Sequence, residues 1–182
     1  MARFVNPDNS AFQISLNSEI YVDKTELIRY TNSVIGSKDA FIYNSRPRRF
    51  GKSYTANMLT AYYSKGSDSL QMFSNLKIAT DSQFKKHLNQ YDVIMIDIQW
   101  FASACKERSK ICSFISRAVI EELKTVYSDI LYDNKCSLFD SLSKIYNKTG
   151  NRFVFIIDEC DAIIRDPAFT ESEKSEYFHF FE

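Results

Sequence analysis

Glycine and proline are scarce, with 4 and 3 among 182 residues. Flexible linkers and low-complexity disorder rely on those residues or on biased runs, so the chain reads as folded nearly throughout. An excess of either charge is also lacking, because 23 basic residues face 23 acidic ones. Without a net field, any contact with nucleic acid or an anionic membrane needs a local patch. Cys105, Cys112, Cys136 and Cys160 form no C-x-x-C pair, and only His87 and His179 accompany them. That spacing indicates neither a zinc site nor a disulfide frame, and reduced, mostly buried thiols are expected. No apolar run approaches about 18 residues, and the opening MARFVNPDNSAF lacks the basic start, apolar middle and small-residue cleavage site of a secretory leader. A cytoplasmic protein without membrane segments is expected.

What is present fits a soluble globular chain: 45% hydrophobic, 25% charged and 15% aromatic residues, at a length suited to one domain with a sizeable core. A short strand or turn is predicted around Ile20 to Val22, followed by a helix from an Asp23 N-cap through KTELIRYTNSVI. AFIYN (40–44) reads as a strand. After Ser53, apolar residues at Tyr54, Met58, Leu59, Tyr62 and Tyr63 give a helix that Gly66 stops. A short helix is predicted around Gln83 to Leu88, and YDVIMIDIQW gives a strand covered on both faces. Ile111, Ile115, Val119 and Leu123 lie on one face of a long helix, and a further helix around Leu138 to Tyr146 ends near Gly150. RFVFIID closes the series as a strand. Strands alternating with helices argue for a parallel sheet with helices on both faces.

The stretch FIYNSRPRRFGKSYTANML (41–59) carries the first chemistry. Gly51, Lys52 and Ser53 form a G-K-S tripeptide between a predicted strand and a predicted helix, the setting of a phosphate loop. In that setting, free N–H groups and the positive end of a helix dipole attract anions, Lys52 reaches outer phosphates and the Ser53 hydroxyl ligates Mg²⁺. The full pattern G-x-x-x-x-G-K-[ST] has glycine where this chain has Arg46. Arg46 restricts the loop entrance and Pro47 removes an N–H donor. In compensation, Arg46, Arg48, Arg49 and Lys52 place four cations within seven residues, and guanidinium groups bind phosphate in bidentate fashion. Acidic groups or nucleic acid are alternative partners for those arginines, and a solvated basic turn is the bland alternative.

Downstream, FVFIIDECD places Asp158 and Glu159 at the end of an apolar strand, where parallel sheets hold ligands. In nucleoside triphosphatases of the phosphate-loop class, the Asp fixes the Mg²⁺ shell and the Glu polarises the attacking water. Asp161 is either a further acid of the site or a cap. Asp97 is either beside the metal or a hydrogen-bonding strand terminus. Trp100 and Phe101 are expected to be core or lid packing.

Taken in order and spacing, YVDKTELI (21–28), SRPRRFGKS (45–53), YDVIMIDI (91–98) and FVFIIDECD (153–161) resemble the bacterial AAA-ATPase-like family, in which R-P-R-R-F-G-K-[ST] is the normal loop. The resemblance implies an α/β fold of the P-loop NTPase type, a three-layer sandwich with a mostly parallel sheet, incomplete at the C-terminus. Residues 1–40 would be an N-terminal extension with a helix and 41–182 the ATPase-like core, treated together as one domain. It implies ATP and Mg²⁺ as cofactors. Arg46, Arg48, Arg49, Phe50, Gly51, Lys52, Ser53 and Tyr54 would bind the nucleotide, Ser53 and Asp158 the metal, and Glu159 would be the catalytic base. Where this chain has Cys160 the family often has an aromatic residue.

Family members usually continue into a further C-terminal domain, often nuclease-like, and nothing here supplies nuclease carboxylates. In these ATPases a later strand separates the phosphate-loop strand from the Asp-Glu strand and brings a sensor residue, and an arginine finger completes the site. The expectation is therefore a fragment, a shortened product or a rearranged sheet. ATP binding with slow or absent hydrolysis is expected, with self-association or a missing C-terminal domain as partner. The alternative is a non-catalytic interaction or nucleic-acid-binding module with a vestigial nucleotide site. A nucleotide kinase is disfavoured because no second basic lid motif is present.

Overall fold

The computed structural model describes residues 2–45, 47, 50–131 and 136–181. The chain divides into two compact units, Asn6–Val93 and Ala2–Val5 with Ile94–Glu182.

The first unit is helical among its described residues. Its helices are α1 (Ser10–Leu16), α2 (Glu26–Val34), α3 (Lys52–Tyr63), α4 (Leu70–Phe73) and α5 (Phe84–His87). Its core is aromatic: Phe12 stacks on Phe73 with ring centroids 5.1 Å apart, and Tyr62 meets Phe73 edge-on at 5.3 Å. Burial of such side chains supplies about 1.5–3 kcal/mol each, offset by the cost of ordering them. Asp23 is not the N-cap of α2. Its carboxylate instead accepts the N–H and hydroxyl of Thr25 at 2.8 and 2.7 Å and the N–H of Lys77 at 2.8 Å, and Thr25 occupies the cap position. Burial pushes the Asp23 carboxyl upward, but the bonds from Thr25 and Lys77 outweigh it and hold the group below its ordinary range.

Two expectations fail in this unit for related reasons. Residues 20–22, expected as a strand or turn, and 40–44, expected as a strand, form no strand, and Ile20 and Phe41 are 83% and 97% exposed. Residues rich in β-propensity become a strand only when a neighbouring strand supplies a ladder, and neither stretch has one among the described residues. Gly66 is not the stop of α3, which ends earlier at Tyr63. It serves close approach instead: a Cβ there would stand 2.1 Å from the Asn6 carbonyl oxygen.

In the second unit, β1 (Asp92–Asp97), whose residues from Ile94 onward belong here, pairs with β2 (Phe153–Asp158) in a small parallel sheet. Helices α6 (Ile98–Ala104), α7 (Ile111–Val126), α8 (Leu138–Thr149), α9 (Ala162–Arg165) and α10 (Glu171–Phe180) complete it. The architecture is α/β. Among the described residues the sheet has two strands, which lie within YDVIMIDIQW and RFVFIID, although Ile98 to Trp100 belong to α6. Ile111, Ile115, Val119 and Leu123 are buried at four-residue spacing, so α7 forms one wall of the core, and the apolar strand expected over Val93–Ile98 ends at Asp97, with Ile98 opening α6. Ser137 and Asp140 close a capping box at the start of α8, and Gly150 ends it in the left-handed region at φ 69°. The N-terminal segment runs antiparallel beside β1, with the Met95 N–H donating to the Phe4 carbonyl at 2.8 Å. It is tied down by Glu122, whose carboxylate accepts the N–H groups of Arg3, Phe4 and Val5 at 2.9, 2.7 and 2.8 Å.

All four cysteines are free, and in place of the mostly buried thiols expected only Cys112 is buried. Burial pushes its thiol up to about 11. Among the described residues no helix is long and apolar enough to cross a membrane.

His87 is buried, with Nδ1 against the Tyr91 hydroxyl at 2.5 Å and Nε2 against Gln83 Oε1 at 3.2 Å. Burial, assisted by the charge of Lys86 and weakly opposed by Asp81, lowers its pKa. The folded state thus holds His87 neutral while the unfolded chain takes up a proton near about pH 6.5. His87 therefore favours folding above that pH, and the contribution is lost as pH falls through 6.5 toward the folded pKa. Urea midpoints are expected to drop between pH 7.5 and pH 5 and to drop less in His87→Gln. An equal drop in both would assign the pH dependence to other groups.

Candidate phosphate-binding site

Gly51 lies in the left-handed region at φ 75° and ψ 38° and caps α3, so the chain enters that helix directly at Lys52 and Ser53. Glycine is suited to this conformation; a β-carbon would be strained and would approach Lys24 Nζ to 2.9 Å. The first N–H groups of a 12-residue helix have no intrahelical acceptor, and the positive end of its dipole lies at the same place. Lys52 is half-buried, while Ser53, Tyr54 and Phe50 are exposed. The Gly51 carbonyl accepts both the N–H and the hydroxyl of Thr55 at 3.1 Å, which starts the helix. Arg46, Arg48 and Arg49 lie outside the described residues.

A buried chain of hydrogen bonds fixes α3 to α2. Thr31 Oγ1 meets the Tyr63 hydroxyl at 2.6 Å, Tyr63 donates to Asn32 Oδ1 at 2.9 Å, Asn32 Nδ2 donates to the Tyr62 hydroxyl at 3.0 Å, and Tyr62 donates to the Phe84 carbonyl at 2.8 Å. Each of these polar side-chain groups is satisfied, so the network rigidifies the helix that begins at Lys52 without the cost of an orphaned group. Burial raises the pKa of both tyrosines, that of Tyr62 to about 12. They stay neutral donors at ordinary pH.

In the second unit, Asp158 ends β2 and is only 9% exposed, with its Oδ1 accepting the Glu159 N–H at 3.0 Å. Glu159 follows at φ 50°, a left-handed conformation that costs a non-glycine residue of order 1 kcal/mol and concentrates at functional sites. Its carboxylate pairs with Arg165 Nη2 at 2.8 Å. The same guanidinium holds Asp161 at 2.8 Å, one turn earlier, so Asp161 makes an ion pair and no side-chain cap. Those two carboxylates raise the pKa of Arg165, Asp161 foremost. Next to them the Cys160 thiol is pushed up, first by burial and then by the Asp161 charge. The Tyr177 hydroxyl donates to the Cys160 carbonyl at 2.8 Å and braces this turn.

Asp97 is the N-cap of α6, accepting the Trp100 N–H at 3.0 Å, which is the strand-terminus reading. Phe101 is fully buried, and Trp100 packs against the same core with the Arg3 guanidinium 3.6 Å from its ring centroid. Among the described residues no group of three or more His, Cys, Asp or Glu side chains is arranged to hold a metal ion. Ser53 belongs to the first unit and Asp158 to the second. A cavity of about 340 Å³ in the second unit is lined by Gln99, Ser103, Cys105, Lys106, Arg108 and Asp166 and contains no residue of the phosphate loop or of the Asp-Glu pair.

Two residues not singled out in the sequence join these sites. Arg165 stands four residues after Asp161, a helical ion-pair spacing that was there to be read. Lys24, in the stretch YVDKTELI, places Nζ 2.8 Å from the Phe50 carbonyl oxygen. No periodicity or spacing rule connects residues so distant in the chain.

A family model described as "Predicted AAA-ATPase" matches residues 10–182. No curated protein matches the chain, and no solved structure does.

Proposed function

The chain belongs to the AAA-ATPase-like family, and from that premise we propose that it binds ATP with Mg²⁺ through the segment from Arg46 to Tyr54. The observation that carries this reading is the left-handed Gly51 cap, which sets Lys52 and Ser53 into the first turn of a helix braced by buried hydrogen bonds. Gly51 and the first-turn N–H groups form the anion site, and Lys52 adds a point charge for the outer phosphates. Phe50 and Tyr54, both more than half exposed, flank it and offer apolar surface to the nucleoside. Mg²⁺ bound with the nucleotide neutralises phosphate charge. Ser53 in the first unit and Asp158 in the second are the residues assigned to it by the sequence pattern.

Glu159 is proposed as the base for hydrolysis. Its ion pair with Arg165 occupies one carboxylate oxygen, so turnover is proposed to be slow. Titration of the full chain with a fluorescent ATP analogue tests the reading. Binding is expected to tighten with Mg²⁺, and Asp158→Ala is expected to remove most of that Mg²⁺ effect, about tenfold. Equal binding with and without Mg²⁺ in wild type and variant would sink it.

A second reading has one observation in its favour. Phe41, Tyr43, Phe50 and Tyr54 are exposed and flank, in sequence, the arginines of SRPRR, and aromatic residues interspersed with cations suit single-stranded nucleic acid. Salt-sensitive DNA binding that ATP does not displace would favour this interaction module over the ATPase.

A further inference from the structure

The turn that presents Lys24 is held from three directions. Asp23 bonds to Thr25 through both the N–H and the hydroxyl and to the Lys77 N–H through its other oxygen. Thr25, fully buried, in turn accepts the Ile78 N–H at 3.1 Å and begins α2 by accepting the Ile28 N–H at 2.9 Å. Residue 24 therefore has a fixed backbone position, and its exposed side chain crosses to the phosphate loop. Its Nζ lies 2.8 Å from the carbonyl oxygen of Phe50, in the space that a side chain at Gly51 would enter.

A trans peptide points its C=O and its following N–H in opposite directions. An ammonium that holds the Phe50 carbonyl therefore also fixes the direction of the Gly51 N–H. Rotation of that one peptide would exchange a donor for an acceptor at the place where an anion is to bind, and a carbonyl oxygen repels phosphate. Gly51 has no side chain to resist such a rotation, so the restraint must come from another residue.

We propose that Lys24 is a positioning residue of the nucleotide site: its ammonium clamps the Phe50–Gly51 peptide in the orientation that keeps the Gly51 N–H available to phosphate. This rests on the ATP-binding reading above. The clamp also explains why a cation stands beside a glycine that introduces a helix, where its charge opposes the helix dipole. Preorganised donors bind without first turning over a peptide, so the effect appears in affinity and not in folding.

The test uses the full chain, the fluorescent ATP analogue with Mg²⁺, and three variants. Lys24→Met keeps the stem and removes the donor, Lys24→Arg keeps a cationic donor, and Lys52→Ala is the benchmark. Lys24→Met is expected to bind about tenfold more weakly, with the thermal midpoint of the nucleotide-free protein unchanged. Lys24→Arg is expected to recover at least part of the affinity. Wild-type affinity in Lys24→Met, alongside a loss in Lys52→Ala, would overturn the clamp and leave the ATP-binding reading standing. Equal weakening in Lys24→Met and Lys24→Arg together with a lowered midpoint would also overturn it, since Lys24 would then be a general stabilising contact. Absent binding by the wild-type chain, or wild-type affinity in Lys52→Ala, would remove the ATP-binding reading and the clamp with it.

Discussion

Lys52→Ala is expected to weaken binding of the Mg²⁺-loaded ATP analogue by roughly 30-fold, close to 2 kcal/mol, the size of a charge-assisted hydrogen bond to phosphate. The folding side of the same substitution has a different sign. A lysine in the first turn of a helix meets the positive end of the dipole, which costs about 0.3–1 kcal/mol at an exposed site. Lys52 begins α3 directly after its cap. Alanine there is a better helix former and removes that repulsion. The thermal midpoint of the nucleotide-free protein is therefore expected to change far less than the affinity. Isothermal titration and thermal melts on one preparation separate the two effects. A fall in midpoint that parallels the fall in affinity would make Lys52 a structural residue and remove the ligand from the argument. Residual binding, carried by the other cations of the loop, is expected to fade with added salt.

The parts of the fold legible in the sequence are those whose pattern depends only on local neighbours. The four-residue spacing of Ile111, Ile115, Val119 and Leu123 specifies α7 wherever it packs, and the Ser137 to Asp140 box and Gly150 mark the ends of α8. The apolar runs of β1 and β2 were legible because each is partnered by the other. Residues 40–44 carry the same kind of signal, yet among the described residues no ladder reaches them, and strand propensity cannot report a missing neighbour. Gly66 was misread because a glycine that follows a helix and a glycine that admits another backbone look the same in sequence; the Asn6 carbonyl decides between them.

The candidate site divides along the same line. Gly51, Lys52 and Ser53 are legible because a glycine-capped helix start is a local feature. The Asp158 and Glu159 pair was legible as a strand ending in acids. The positive φ of Glu159 and its ion pair with Arg165 depend on how the turn after β2 closes, which no residue pattern states. Lys24 was invisible for a stronger reason: it acts on a carbonyl oxygen, and every residue has one.

Lys65→Met is expected to cost the first unit about 3 kcal/mol, because it strands a buried charge. The Asp92 side chain has no exposed surface, and it accepts Asn6 Nδ2 at 2.8 Å and Lys65 Nζ at 2.7 Å. Lys65 is about a third exposed. The two partners therefore differ when bereaved: Lys65 can turn its ammonium to water, whereas the Asp92 carboxylate cannot follow. Asp92→Asn is expected to cost less, roughly 1–2 kcal/mol, and the double variant to be more stable than Lys65→Met alone, since the amide leaves no unpaired charge. Urea denaturation of the two single variants and the double variant gives the ordering. Equal losses from both single changes, or further loss in the double variant, would show that the pair is not held by this asymmetry. The location makes the result bear on the nucleotide site. The Lys65 N–H donates to the Tyr91 carbonyl and the Tyr91 N–H to the Tyr63 carbonyl, each at 3.0 Å, so this cluster anchors the far end of the helix that begins at Lys52. A ligand that binds only the folded unit adds RT ln(1 + [L]/Kd) to its stability. Saturating Mg²⁺-ATP should therefore raise the midpoint of Lys65→Met by the same free energy as that of the wild type, whereas a smaller gain would mean that loosening one end of α3 has loosened the phosphate grip at the other.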